Sequence, residues 1–113
     1  MGLATKSVII SKYLVPSGYQ GITIFPFIIL RNKNLKRDSI LINHERIHLR
    51  QQLELLVLPF YLIYGLEFFI RLLQYRTWSL AYKSISFEKE AYANEANLEY
   101  LKNRPFWNFI TFL

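Results

Sequence analysis

Twelve consecutive residues without a charge, LLVLPFYLIYGL between Glu54 and Glu67, set the strongest constraint on how this chain can fold. Beyond Glu67 the run resumes as FFI, breaks at Arg71 and continues to Tyr75. A helix built from it carries apolar side chains on every face, so it must be surrounded by protein or meet lipid. Twelve residues fall short of the ~18–20 that cross a bilayer. Residues 55–73 are long enough but carry Glu67 and Arg71, four apart and spaced to pair on a helix, at a cost inside a membrane. Three arrangements satisfy the constraint: core burial, a membrane-interface or spanning segment, and a helical contact with a second chain. Against lipid, Leu58, Phe60, Leu62, Phe69 and Leu73 would form an exposed apolar belt. A chain of 113 residues is expected to form one domain over residues 1–113, with little else to surround such a helix.

Composition narrows the classes. Hydrophobic residues make up 52% and aromatic residues 17%, which excludes disorder. There is no Cys, so disulfide scaffolds, Cys-ligated zinc, iron–sulfur clusters and thiol catalysis are excluded. The net charge of +6 resides wholly in residues 1–50; residues 51–113 are neutral. The basic half suits an anionic lipid surface, an acidic partner or a solvated face. Nucleic acid is disfavoured, because no aromatic residues interleave Arg31, Lys33, Lys36, Arg37, Arg46 and Arg50. The start, MGLATKSVIISKYL, has neither the uninterrupted apolar segment nor the cleavage site of a signal peptide. The expected location is therefore the cytoplasm or the cytoplasmic face of a membrane.

Two β-type runs, Lys6–Val15 and Gly21–Leu30, are separated by PSGYQG and read as a hairpin, with Pro26 marking an edge or a bulge. Asp38 or Ser39 can cap a helix from about Ile40. Pro59 then kinks that helix or separates it from a second one. Ser86 can cap a last long helix, Phe87–Asn103, stopped by Arg104-Pro105, and the tail FWNFITFL packs back as a short helix or strand. The expected fold is α+β: an N-terminal β-hairpin followed by three to four helices.

The only two His residues, His44 and His48, flank Glu45 in His-Glu-Arg-Ile-His. On a helix they stand one turn apart on one face and can share one Zn²⁺, while Glu45 is placed to act on water rather than on the metal. In a chain of this composition the pattern arises by chance about once in a thousand. With no third His and no Cys, the third ligand must be a carboxylate. Asp38 and Glu54 lie six residues from the nearer His, on the wrong faces, which leaves Glu67, Glu88, Glu90, Glu95 and Glu99.

Residues 41–101 resemble a gluzincin metallopeptidase, in which a His-Glu-x-x-His helix precedes a second helix that supplies a Glu ligand. In one gluzincin branch the second motif reads Glu-x-x-Ala-Asp, and this chain has Glu90-Ala91-Tyr92-Ala93-Asn94, departing at Asn94. The resemblance implies a zincin-like core, with His44, His48 and Glu90 as zinc ligands and Glu45 as general base. Asn94 would take the place of the Asp that braces a ligand imidazole, without its charge. Glu90 and Asn94 share a helix face, which agrees with that division of labour. Glu67 is the alternative ligand, since gluzincins with shorter spacing exist; pairing with Arg71 explains it without metal.

Two functions follow as expectations. One is a zinc metallopeptidase acting on a peptide or protein held along an edge strand within Ile22–Leu30, with Tyr61, Tyr64, Tyr82 and Tyr92 as oxyanion-stabilising candidates by type. The other is a non-enzymatic module on a membrane or larger protein partner, with a structural or vestigial zinc site.

Overall fold

The second β-rich run folds back on itself. In the computed structural model, which describes residues 8–113, Gly21–Ile24 (β2) and Phe27–Leu30 (β3) pair antiparallel across Phe25 and Pro26. Pro26 therefore sits in the turn, where a missing N–H costs the ladder nothing. The first run contributes Val8–Ile10 (β1), which lies parallel to β3 rather than forming a hairpin with it; Lys6 and Ser7 of that run lie outside the described residues. The order is β1-β3-β2, so β3 is central and β2 is an edge. The expected hairpin is thus present, but it is contained within one run instead of joining two.

The helices are α1 (Ser39–Glu54), α2 (Leu58–Tyr75), α3 (Trp78–Lys83), α4 (Ser86–Asn94) and α5 (Tyr100–Asn103), with short 3₁₀ turns at Lys33–Arg37 and Asn108–Phe112. The fold is α+β, as the sequence implies. Asp38 caps α1 by accepting the Leu41 N–H. Leu56 and Val57 take positive φ, and Pro59 falls in the first turn of α2, where it needs no hydrogen-bond donor. The chain turns through 113° between α1 and α2. The last long helix of the sequence reading is broken: α4 ends at Asn94, and α5 is a separate turn stopped before Pro105.

Two apolar clusters flank α1. Ile28, Leu30 and Leu49 form one, beneath the sheet. Leu55, Phe60, Ile85, Phe87 and Phe109 form the other, joining α2, α4 and the C-terminal turn. Phe87 is fully buried, with Phe60 and Phe109 each 4.6 Å away between ring centroids. Between the clusters α1 buries a polar face: Asn43, His44, Glu45, His48, Gln51 and Gln52. By contrast α2, the most apolar helix, buries Phe60 alone, while Leu58, Leu62, Phe69 and Leu73 are exposed. Among the described residues no single helix is long and apolar enough to cross a membrane, although α1 and α2 meet that test as a bent pair.

Gly65 lies inside α2, and a Cβ added there meets nothing within 4 Å. Gly65→Ala should therefore stabilise the fold by about 0.5–1 kcal/mol, the helix-propensity difference between the two residues. Urea denaturation checks this, with an unchanged or lower midpoint as the contrary result.

Candidate metal centre

Three ligating atoms converge in the polar seam between α1 and α4. His48 Nε2 lies 3.0 Å from Glu88 Oε1, His44 Nε2 lies 3.3 Å from the same oxygen, and the two Nε2 atoms are 3.2 Å apart. All three residues are buried. Tetrahedral ligands 2.0–2.1 Å from zinc stand about 3.3 Å from one another, so the spacing and the donor set fit a divalent ion of that size. This buried group can hold a metal ion.

The far side of each imidazole is anchored. His44 Nδ1 is 2.7 Å from Glu95 Oε1, and His48 Nδ1 is 2.7 Å from Gln51 Oε1. A carboxylate or amide oxygen can only accept, so each Nδ1 carries a proton and each Nε2 is the ring nitrogen turned to the centre, from which a metal would displace any proton. Gln51 is itself held, donating to the Phe87 carbonyl and to Glu90 Oε1. Asn43 donates to the carbonyls of Asn94, Glu95 and Asn97, tying the end of α4 beside His44. Tyr64 donates to Glu88 Oε2 at 2.6 Å, leaving Oε1 for the centre.

Electrostatics favour a cation here. Burial opposes charge on Glu88, but the two imidazoles outweigh it and hold the carboxyl well below its usual range. Burial likewise opposes a charged His48, yet the Glu88 carboxylate, with lesser help from Glu45 and Gln51, raises it to about 9. Burial and the neighbouring Glu88 carboxylate push the Tyr64 and Tyr82 hydroxyls upward, so both remain neutral donors. Glu45 is buried beside the first His, and Thr23 Oγ1 donates to it at 2.6 Å from β2. Gly21 is held close to its partner strand: a Cβ added there would stand 3.0 Å from a Leu30 methyl on β3, and in ordinary contact, 3.7 Å, with Glu45 Cγ.

Glu90, the expected third ligand, is not at the centre. It is fully buried on the opposite side of α4, bound by Arg104 and Tyr100 as well as Gln51. Two residues advance about 200° around a helix, so Glu88 and Glu90 cannot share a face. Asn94 also departs from expectation: its amide donates to the Glu90 carbonyl, and Glu95 braces His44 instead. Glu67, the alternative ligand, accepts from the Ser86 N–H at 2.9 Å and the Ser86 hydroxyl at 2.6 Å, anchoring the N-terminus of α4. Arg71, its expected partner, donates to Gln74 instead. The signal for Glu88 was present in the chain. Glu-x-x-Ala occurs twice, at Glu88…Ala91 and Glu90…Ala93, and Glu88, Tyr92 and Glu95 repeat at i, i+4, i+7. Tyr92 packs edge-on against His44 at 4.6 Å.

The centre opens on a cavity of about 470 Å³ whose wall includes Glu45, His48 and Glu88. β2 forms one side; Tyr61, Gly65 and Phe68 of α2, with Trp78 and Tyr82, form the other. Comparison of the chain with protein-family models, with curated protein sequences and with solved structures returns no match.

Two carboxylates two residues apart should therefore behave differently. Glu88→Gln should abolish stoichiometric metal uptake, read by equilibrium dialysis and metal analysis, while Glu90→Gln should retain it. Glu90→Gln should instead cost stability, about 3 kcal/mol at pH 7, because it breaks a buried pair with Arg104 while Glu54 still holds the guanidinium. Burial works to raise the Glu90 pKa, but Arg104, Tyr100 and Gln51 outweigh it and hold it below 4.5. That stabilisation is present above pH 4.5 and is lost as pH falls through the lower folded value, so the deficit should shrink in acid. A deficit independent of pH would contradict the ionic assignment.

Proposed function

We propose that the chain is a zinc metallopeptidase in which His44, His48 and Glu88 hold the metal and Glu45 is the general base. The observation that carries this reading is the junction of two features: three ligating atoms 3.0–3.3 Å apart, and a cavity beside them into which Glu45 faces. Three protein ligands with open space beside them are the arrangement of catalytic zinc, whereas structural zinc is closed by a fourth. Zinc held here would supply Lewis acidity to a water and to the scissile carbonyl.

The chain's own groups supply the rest. Glu45 takes a proton from the attacking water and returns it to the leaving amine. Thr23, donating to one oxygen of Glu45, fixes the carboxylate orientation. Glu95 and Gln51 hold the two imidazoles with Nε2 inward. Tyr64 is committed to Glu88 and Tyr61 to the Thr23 carbonyl, and Tyr82, at the cavity wall, would have to exchange its Tyr92 partner to face a developing oxyanion.

The strand that would hold an extended substrate is β2, since β3 is central. The bond from the Arg31 N–H to the Gln20 carbonyl fixes the ladder so that Gly21 and Thr23 turn their backbone groups outward. Gln52 already occupies part of that edge, accepting from the Phe25 N–H and donating to the Thr23 carbonyl. Strand addition is therefore confined to the Gly21 end, next to Glu45. The apolar wall of the cavity favours a substrate with a bulky apolar side chain.

The test is Glu45→Gln on zinc-loaded protein with a fluorogenic library of apolar peptides. Zinc content should remain at one per chain, and hydrolysis should fall at least about a hundredfold. A wild type that holds full zinc yet cleaves nothing would overturn the peptidase reading in favour of a non-enzymatic module.

A further inference from the structure

The apolar surface of α2 is a stripe. Leu58, Leu62, Leu66, Phe69 and Leu73 follow one another at steps of three and four and fall within an arc of about 80°. Each is 58–75% exposed, and no charged residue lies within the arc. From first to last the stripe runs about 22 Å along the helix. Leu56 extends it at one end and Trp78 and Leu80 follow at the other, all more than half exposed. Isolated exposed apolar residues are ordinary, but a continuous uncharged stripe marks an interaction surface.

The charges around it indicate what it meets. Arg76 and Lys83 stand at the C-terminal end of α2 and on α3, and among the described residues neither pairs with a carboxylate, whereas Arg71 falls on the face of α2 opposite the stripe. The one acid between residues 55 and 85, Glu67, is engaged by Ser86. A second copy docking through this face would bring two cations and no acid to meet its own two. An anionic lipid surface answers them. Tyr75 and Trp78, both exposed, stand at the same end, where aromatic side chains with one polar atom settle at a bilayer boundary.

We propose that the outer stripe of α2, with Trp78 and the unpaired cations at its end, is an in-plane docking surface for anionic membranes. Docking stands on this face alone. Its consequence for substrate rests on the peptidase reading: Tyr61, Gly65 and Phe68, which wall the cavity, occupy the neighbouring arc of the same helix. Docking then sets the cavity mouth at the lipid boundary, where it meets apolar peptide segments lying at or emerging from the bilayer.

The experiment is vesicle co-sedimentation of the full zinc-loaded chain. It should bind mixed phosphatidylcholine–phosphatidylglycerol vesicles and bind phosphatidylcholine alone about tenfold more weakly. Replacing Leu62, Leu66 and Phe69 together by Ser should weaken both by at least about tenfold. Arg76→Gln and Lys83→Gln together should remove the preference for anionic lipid. Zinc content should be unchanged throughout, which separates failure of docking from failure of the metal site. Brominated lipid should quench wild-type fluorescence, and Trp78→Phe should remove most of that quenching, independently of how the multiple variants fold. Wild type left in the supernatant with mixed vesicles would overturn the proposal. So would vesicle binding indifferent to the Ser substitutions, or a dimer that those substitutions dissociate in a chain with no affinity for lipid.

Discussion

A carboxylate buried between two imidazoles is the constraint around which this molecule is arranged. Glu88 is 3% exposed, and an ionised group so placed is tolerated only if every neighbour answers it. The neighbours come from two helices packed against α4: His44 and His48 from α1, and Tyr64 from α2. From there the hydrogen bonds run outward through Gln51 to Glu90, then through Arg104 to Glu54, so that the end of α1 and the C-terminal segment are locked into the same network. Among the described residues Glu54 Oε1 is the one buried side-chain polar atom left without a partner.

Charge is unevenly answered within that seam. Arg104 serves Glu90 and Glu54, which accounts for the structural half. Glu88 and Glu45, on the cavity side, have imidazoles and hydroxyls but no guanidinium or ammonium. His48, raised to about 9, carries one positive charge there, and a divalent cation at the His44–His48–Glu88 centre would replace its proton and bring further positive charge. The same side is the one that opens to a cavity, so the charge deficit and the access coincide.

Polarity is inverted across two consecutive helices. α1 turns Asn43, His44, Glu45, His48, Gln51 and Gln52 inward, while α2 turns a leucine stripe outward. Each inversion costs stability if it has no use: buried polar groups lose water, and exposed apolar ones order it. The first is compensated by the network around Glu88. The second is compensated only when the stripe meets something apolar, which is why it carries the argument for a lipid surface.

Much of this was legible in the residues. The start of α1 at Asp38 or Ser39, a kink or break at Pro59, the α+β class and the placement of both His on one face follow from local rules that act within a few residues: capping, missing donors and the 3.6-residue turn. Three things were decided only by the tertiary structure. Helical periodicity gives α4 two acidic faces, Glu88–Tyr92–Glu95 and Glu90–Asn94, but not which of them meets the imidazoles; Arg104, fourteen residues beyond Glu90, claims one carboxylate and leaves the other for the His pair. Richness in β-branched residues marks two β-type runs but not their partners, and β1 pairs parallel with β3 because the second run has already closed on itself. Glu67 reads locally as half of an ion pair with Arg71, yet it anchors Ser86, nineteen residues away. Local sequence sets conformation and the faces available; which face meets which depends on contacts between residues far apart in the chain, and those exist only once the chain has packed.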